Sequence, residues 1–298
     1  MVTSALARDT VFALRHQIAR LEGTLPATLD QPETAGPAPM LVRRRGAAAG
    51  REARLATGVD GLDAALGGGV PKAALTEIHG LETRDGGAVA GFTLALAVLL
   101  RGKETPSLPV LWIGTAEIFG EAGFPHAPGL AFSFGLEPEA FLFAEAPTLA
   151  DALWIAEEAA PLKALAAVIL EVRGNPARLD LTATRRLHVR AQQAGRPVFL
   201  LRQGALPDPT AAPVRLVVAP APAGLRETLA GPLPRSIGPP AFLVTLSKSR
   251  TAMTAQFTLE WNADERAFFD RRSGVERHVG NGAGWPAHSG AVLSLSRA

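Results

Sequence analysis

The sequence contains no cysteine, which excludes disulfide bridges, thiolate metal sites and a cysteine nucleophile. Its six histidines are scattered without the spacing of metal ligands, so we expect no metal site. The start of the chain lacks the apolar stretch and the small-residue cleavage site of a signal peptide. The most apolar helical stretch, 88–100, is shorter than the roughly 20 residues of a membrane span. These absences predict a soluble, cytoplasmic protein without membrane association.

What the sequence does contain is enough apolar material for a large core. The chain has 298 residues, of which 47% are hydrophobic, and this excludes wholesale disorder. Arginine greatly outnumbers lysine, but the net charge is only +2. That charge balance does not by itself indicate a nucleic-acid-binding protein. The length fits one large α/β domain, or a domain of about 220 residues with extensions.

The first 52 residues divide into a predicted helix and a predicted linker. Residues 1–25 have the pattern of an amphipathic helix. Its apolar stripe recurs at spacings of three and four and resembles a heptad seam: Val11, Leu14, Ile18 and Leu21. The stripe must be buried, either on the chain's own core or on another subunit. Residues 26–52 are rich in Pro, Gly, Ala and Arg, which predicts a flexible linker. Its arginine triplet, 43–45, is either a solvated run or a phosphate contact.

Residues 53–262 predict the folded core, because short apolar runs alternate with helical stretches. The predicted strands of the first part are 75–79, 110–113, 141–143, 167–171 and 198–201. The predicted helices are 88–100, 149–160 and 181–194. Three further strands without long helices between them are predicted at 214–218, 242–246 and 256–261. This order indicates an α/β fold, with a mainly parallel sheet, helices on both faces and an antiparallel extension.

Residues 263–298 are polar, basic and Gly-rich, and they predict a C-terminal tail that is mobile when free. The tail nevertheless carries residue types that are enriched at binding hot spots. The candidate partner-binding residues are Phe269, Arg271, Arg272 and Trp285. The tail is either an inert terminus or a segment that orders on a partner.

One long segment carries a family resemblance. Residues 57–72 read Thr-Gly-Val-Asp-Gly-Leu-Asp-Ala-Ala-Leu-Gly-Gly-Gly-Val-Pro-Lys, and residues 76–80 read Thr-Glu-Ile-His-Gly. Together they resemble the entry to the RecA ATPase core, in which a strand ending in Glu-Ile-x-Gly precedes the phosphate loop. The resemblance continues at 135–138 and 148–153, and it covers roughly 53–261. It implies a RecA-like core, with Gln203 at the position of a γ-phosphate-sensing glutamine.

The phosphate loop departs from that family. A working loop reads Gly-x4-Gly-Lys-Thr/Ser, in which the lysine reaches the phosphates and the hydroxyl holds Mg²⁺. Aligned from Gly80, this chain has Asp85 at the second glycine, Gly86 at the lysine and Gly87 at the hydroxyl residue. The site has lost its cation and gained an anion, which predicts a chain that is not an enzyme and needs no cofactor. A like-charge contact near 4 Å costs on the order of 1 kcal/mol in water and roughly 4 near a protein surface.

Other residues of the family's nucleotide site have counterparts here. Arg84 is the cation inside the loop, and it could hold an anion. The resemblance places Glu117 where the family has a water-activating glutamate, and Glu171 where it has a Mg²⁺-linked aspartate. Without the lysine and the hydroxyl, we interpret these carboxylates as relics or structural partners. An ATPase with a rewired loop, using Arg84 and Glu117, remains the enzyme alternative.

A group of arginines on the predicted helix 181–194 is the candidate DNA contact: Arg185, Arg186 and Arg190. Two of them are i, i+4 neighbours on this helix. The sequence shows no aromatic stacking platform beside them, so they are either a solvated helix face or a weak or indirect DNA contact.

The degenerate loop, the N-terminal helix and the basic tail together are similar to the ImuA family. These are bacterial damage-inducible proteins encoded with an inactive polymerase-like subunit, ImuB, and an error-prone replicative-type polymerase. The resemblance implies a non-catalytic adaptor in mutagenic translesion synthesis, with an ImuB-like subunit, that polymerase and RecA as partners. A RecA-filament modulator is the alternative within the same fold. Self-association through the N-terminal helix is a further expectation.

Overall fold

The computed structural model describes residues 53–102, 108–251 and 254–271. The strands of this part are β1 (Arg54–Leu55), β2 (Val70–Pro71), β3 (Leu75–Gly80), β4 (Val110–Thr115), β5 (Phe141–Ala146), β6 (Ala167–Arg173), β7 (Val198–Gln203), β8 (Val214–Ala221), β9 (Arg226–Thr228), β10 (Gly231–Leu233), β11 (Ala241–Lys248), β12 (Ala255–Asn262) and β13 (Ala267–Asp270). The α-helices are α1 (Asp60–Ala65), α2 (Gly86–Arg101), α3 (Ala116–Ala122), α4 (Ala127–Phe134), α5 (Leu149–Ala159) and α6 (Leu181–Ala194).

Nine of these strands form one sheet in the order β13-β12-β11-β8-β3-β7-β6-β4-β5. The six strands from β8 to β5 are parallel to their neighbours. Strands β11, β12 and β13 continue the sheet from β8 in antiparallel order. The α/β class, the mainly parallel sheet and the antiparallel extension are therefore confirmed, and the strand predicted at 75–79 lies at the centre of the sheet.

Each face of the sheet buries its own hydrophobic core. Side chains alternate along a strand, so Ile78 packs into the core below α2, whereas Leu75 packs into the core below α5 and α6. The central strands are long apolar runs because both faces are covered. The helix predicted at 181–194 matches α6 at both ends, with Asp180 capping its first turn and Gly195 in a left-handed conformation after its last residue.

The apolar helix α2 is longer than the sequence pattern indicated. With the 3-10 turn before it, the helix runs over Thr83–Arg101, 19 residues, and is long and apolar enough to cross a membrane by length and composition. Its residues Val89, Phe92 and Leu96 are fully buried in the first hydrophobic core. This packing makes α2 a core helix of the α/β fold.

The core does not end at 262, and the first part of the predicted tail is a strand. Residues 267–270 form β13 and pair with β12. Phe268 is 2% exposed and its ring lies 5.1 Å from that of Trp261 and 5.3 Å from that of Phe92. The prediction of a tail beginning at 263 was therefore wrong for these residues, because a four-residue strand is too short to show a period.

Further elements were not predicted from the sequence, among them two helices and a hairpin. Helices α3 and α4 follow β4, and a hairpin of β9 and β10 lies between β8 and β11. The N-terminal residues Val11, Leu14, Ile18 and Leu21, the linker, and residues 272–298 lie outside the described residues.

Candidate functional site

The chain from β3 to α2 has the order strand, short loop, helix N-terminus. Strand β3 ends at Gly80, a 3-10 turn covers Thr83–Asp85, and α2 begins at Gly86. A helix N-terminus that follows such a loop presents N–H groups suited to an anion. A side chain at Gly80 would place its Cβ 2.9 Å from side-chain atoms of Asp85 and Val89, so the loop requires glycine there.

Asp85 forms hydrogen bonds within this loop and so holds the loop in a closed conformation. The residue is 6% exposed, and its Oδ2 accepts a hydrogen bond from the backbone N–H of Glu82 at 3.0 Å. The N–H of Asp85 donates in turn to the carbonyl of Glu82 at 3.0 Å. One loop N–H is thus satisfied by a carboxylate of the chain itself, and negative charge already lies beside the positive end of the α2 dipole. A phosphate at this position would meet that carboxylate.

Arg84 points to solvent and pairs with its own neighbour. Its Nε lies 2.8 Å from Glu82 Oε2, and its Nη2 donates to Glu82 Oε1 at 3.0 Å. The side chains are 77% and 58% exposed. The loop cation is therefore engaged by a carboxylate at the surface and does not line the cavity described below.

Glu171 and Gln203 lie together at the ends of neighbouring parallel strands. Glu171 Oε2 accepts from the indole N–H of Trp112 at 2.9 Å, and Glu171 Oε1 accepts from Gln203 Nε2 at 2.9 Å. The three residues come from β6, β4 and β7, which are adjacent in the sheet. Glu171 therefore serves as an acceptor for two side-chain donors. Gln203 Oε1 is buried without a hydrogen-bond partner among the described residues and faces Gly86.

Glu117 does not join this group. It lies in the first turn of α3, is exposed, and does not line the cavity. Glu121, one helical turn later, lines the cavity and forms an ion pair with Arg173 at the end of β6. Glu121 was not predicted from the sequence, although its i, i+4 spacing from Glu117 was a signal that could have identified it.

A cavity of about 740 Å³ opens beside the loop, beyond the carboxyl ends of β6 and β7. This edge of a parallel sheet is where ligands of α/β proteins commonly bind. Gly86, Gly87, Glu171 and Gln203 form one side of it. The remaining walls come mainly from apolar side chains of α2, β4, α3 and α4: Leu94, Trp112, Ile118, Phe124, Leu130 and Phe134. The cavity joins the polar side formed by Gly86, Gly87, Glu171 and Gln203 to an apolar chamber.

A second polar cluster, not predicted from the sequence, is buried on the opposite face of the sheet. Glu77 Oε2 lies 2.8 Å from Arg215 Nε and accepts from Thr210 Oγ1 at 2.8 Å. His79 Nε2 and Arg202 Nη1 stand 3.7 and 4.0 Å from Glu77 Oε1, beyond hydrogen-bonding distance. Burial raises the pKa of Glu77, but His79, Arg215 and Thr210 outweigh burial and hold the pKa below its ordinary value of 4.5.

The candidate DNA-contact arginines occupy one side of α6 and are mostly engaged. Arg186 Nε lies 2.8 Å from Glu157 Oε1, and Arg190 Nη2 lies 3.9 Å from Glu158 Oε1. Arg185 is exposed. One aromatic side chain lies near them: Trp154, 64% exposed, lines a groove between α5 and α6 together with Arg186. Trp154 and Arg186 come together through the packing of two helices, which the sequence pattern does not reveal.

The two tail residues that are described lie on or directly after β13. Phe269 lies on β13 next to Phe268, with its side chain on the other face of the sheet, and is 45% exposed. Arg271 donates to Glu260 Oε1 at 2.9 Å and to the carbonyl of Pro222 at 2.6 Å. Arg271 therefore helps to attach the end of β13, which the tail interpretation did not anticipate. Arg272 and Trp285 lie outside the described residues.

Comparison with known proteins gives a structural likeness only. No protein-family model matches the sequence, and no curated protein matches it. The chain is similar to the crystal structure of the RadB recombinase, with 17% identity and a TM-score of 0.46, over 72% of this chain and 98% of that chain. The α/β fold itself is established by the sheet order and by the helices on both faces.

Proposed function

We propose that this chain is a non-catalytic RecA-like adaptor in damage-inducible mutagenic translesion DNA synthesis. In this role it joins an ImuB-like polymerase subunit to RecA and to an error-prone replicative-type polymerase in the cytoplasm. The partners come from the sequence resemblance to the ImuA family, and the absence of catalysis comes from the loop. A fold alone assigns no function, but this chain combines a complete scaffold with a loop that lacks the lysine and the hydroxyl residue.

The observation that carries the proposal is the closed phosphate loop. Asp85 binds the backbone N–H of Glu82, and Arg84 is paired with the Glu82 side chain. Among the described residues that line the cavity, the one arginine or lysine is Arg173, which is paired with Glu121. A nucleoside triphosphate would therefore bring its charge to a site with buried carboxylates and without an unpaired cation. The sheet around the loop is meanwhile fully formed, as a binding scaffold requires.

An ATPase with a rewired loop is the second candidate. The cavity beside the loop favours it, because Glu121 and Arg173 lie in its wall and the volume would hold a nucleotide-sized ligand. The sequence suggested Arg84 and Glu117 for this chemistry. Arg84 is paired with Glu82 at the surface, and Glu117 does not line the cavity. Turnover of ATP that is lost in Glu121→Gln and retained in Glu117→Gln would support this candidate against the adaptor.

The adaptor role is tested by genetics and capture in the same strains. Deleting the gene should abolish damage-induced mutagenesis, and the full chain should restore it and capture the ImuB-like subunit. The Trp285→Ala variant should lose both the damage-induced mutagenesis and the capture of the ImuB-like subunit, since an aromatic side chain is a typical interface anchor. Trp154→Ala is the matched control, because it removes an exposed tryptophan from a different surface. Mutagenesis that is unaffected by deletion of the gene would refute the proposal.

Self-association is tested separately, through the N-terminal stripe. We expect Leu14→Asp with Ile18→Asp to weaken assembly or partner capture, because two carboxylates cannot be buried in an apolar seam. Arg8→Asp with Arg15→Asp changes charge off the stripe and serves as the control. A double variant that keeps the wild-type mass in light scattering and still captures its partner would show that the helix packs on its own chain.

A further inference from the structure

The β9–β10 hairpin presents large apolar side chains to solvent. Its two strands pair with each other and with no other described strand, and Leu229 lies in the turn between them. Leu229 is fully exposed, and three further apolar residues of the segment 225–237 are at least 47% exposed: Leu225, Leu233 and Ile237. Soluble chains rarely expose such a group of apolar side chains, so this hairpin is marked as an interaction surface.

Hydrogen bonds within the segment fix the shape of the hairpin. The hydroxyl of Thr228 donates to the carbonyl of Gly231 at 2.7 Å, across the turn that carries Leu229. The backbone N–H of Arg226 donates to Ser236 Oγ at 2.8 Å. The exposed leucine therefore stands on an ordered element, and an ordered element loses little conformational entropy when it binds.

The hairpin also carries positive charge. Arg226 and Arg235 are exposed, and neither forms an ion pair with a residue that the structure describes. With Glu227 as the acidic residue of the segment 225–237, its net charge is +1. A surface that fits this hairpin is therefore concave, apolar and negatively charged.

The cavity beside the closed loop has these properties. Its volume is about 740 Å³, within the range of binding sites, and its walls are mostly apolar. Its charged lining residues, in the described part of the chain, are Glu121, Glu171 and Arg173, which give it a net charge of −1 with His126 neutral. Glu121 is half exposed, so negative charge is present where the cavity meets solvent.

The hairpin rises beside this cavity without filling it. At its base the N–H of Gly238 donates to the carbonyl of Gly224 at 2.9 Å, and two residues later Pro240 lines the cavity. The described residues that line the cavity include none of 225–237, and Leu229 is exposed. A hairpin and a cavity that are neighbours on one surface can meet those of a second copy about a two-fold axis, which closes the contact as a dimer.

We propose that two copies of this chain associate through these surfaces, with Leu229 of each copy seated in the cavity of the other. The leucine packs against the apolar walls, and Arg226 and Arg235 lie near the rim, where Glu121 of the other copy attracts them. The space next to the phosphate loop is then filled by the second copy. This contact goes beyond the adaptor function and is separate from the N-terminal stripe.

Disulfide cross-linking between two different variants tests the contact directly. The chain has no cysteine, so each variant carries a single one. Gly87 lines the cavity, and a side chain there meets nothing within 4 Å. We expect a mixture of the Leu229→Cys and Gly87→Cys chains to form a mixed disulfide on oxidation, and each variant alone to form little. Ser133→Cys, at another lining position, covers the opposite wall of the cavity.

The control for the cavity position is Gly120→Cys. That glycine is also open, but it does not line the cavity, so its mixture with Leu229→Cys should give only background cross-linking. Background cross-linking with both Gly87→Cys and Ser133→Cys would overturn the proposal. The double variant Leu229→Cys, Gly87→Cys supplies a further check. A disulfide that forms within one chain at high dilution would show that the hairpin enters its own cavity, and it would overturn the proposal too.

Sedimentation of the cysteine-free chain measures the strength of the contact. Leu229→Asp should weaken the dimer by about tenfold or more, because a carboxylate would enter an apolar cavity that already holds Glu171. Leu162→Asp is the matched control, because it changes an exposed leucine that does not line the cavity. Both are also measured in the Leu14→Asp, Ile18→Asp background, which removes association through the N-terminal stripe. Equal dissociation constants for Leu229→Asp and the wild type in that background would contradict the proposal.

These measurements are made without any polymerase subunit or RecA present. Their failure would leave the adaptor function standing, and loss of the adaptor function would leave the contact between copies to be judged by its own cross-link.

Discussion

Glu77 provides a direct test of how much the buried ionic cluster contributes to stability. Glu77 is fully buried and lies 2.8 Å from Arg215. Glu77→Gln keeps the shape of the side chain but leaves buried guanidinium groups without their carboxylate. Removing one partner of a buried ion pair costs about 3–5 kcal/mol. For a chain of this size each kcal/mol lowers the melting temperature by about 2–4 °C, so we expect a decrease of about 6–20 °C.

Glu82→Gln is the matched control. Glu82 also lies 2.8 Å from an arginine, Arg84, but both side chains are largely exposed. Exposed pairs contribute about 0–1 kcal/mol. Urea unfolding followed by circular dichroism gives both free energies of unfolding, provided that the denaturant dependence is unchanged. If the two variants lose the same stability, burial does not decide the strength of these pairs and the reasoning is wrong.

Two further predictions concern the core. Phe268→Ala should cost about 3–5 kcal/mol of unfolding free energy, because its ring is buried among Phe92, Phe242 and Trp261, whereas Phe269→Ala, on the exposed side of β13, should cost much less. Equal losses in urea unfolding would show that β13 does not belong to the core. Because the pKa of Glu77 is lower in the folded chain than in the unfolded one, its contribution is fully present above about pH 4.5 and is lost as the pH falls below that value. Unfolding measured from pH 6 to pH 3.5 should therefore show a steeper loss in the wild type than in Glu77→Gln, and parallel curves would contradict the assignment.

Local patterns were sufficient for much of the fold. The alternation of short apolar runs with helical stretches located β3, β6, β7 and α6, because strands covered on both faces are continuously apolar. The strand to which Phe268 belongs was not predicted, because four residues are too few to show a periodicity. The same limit applied to α3 and α4, which are seven and eight residues long.

The candidate site was less predictable because its contacts join distant parts of the chain. Glu171 and its donor Trp112 are 59 residues apart, and only the register of β4 with β6 brings them together. Glu77 and Arg215 are separated by 138 residues. The residues at which the loop departs from the phosphate-loop pattern could be recognised from the sequence. The hydrogen bond from the backbone N–H of Glu82 to Asp85, which closes the loop, could not be predicted from it.

The central claim is that the closed loop does not hold a nucleotide, and a titration of Mg·ATP followed by calorimetry tests it most directly. We expect no saturable heat with the unmodified chain at micromolar ATP. The variant Asp85→Gly, Gly86→Lys, Gly87→Thr restores the loop cation and hydroxyl, and we expect binding to require all three changes. Saturable, Mg²⁺-dependent binding of ATP by the unmodified chain at micromolar concentration would contradict the account.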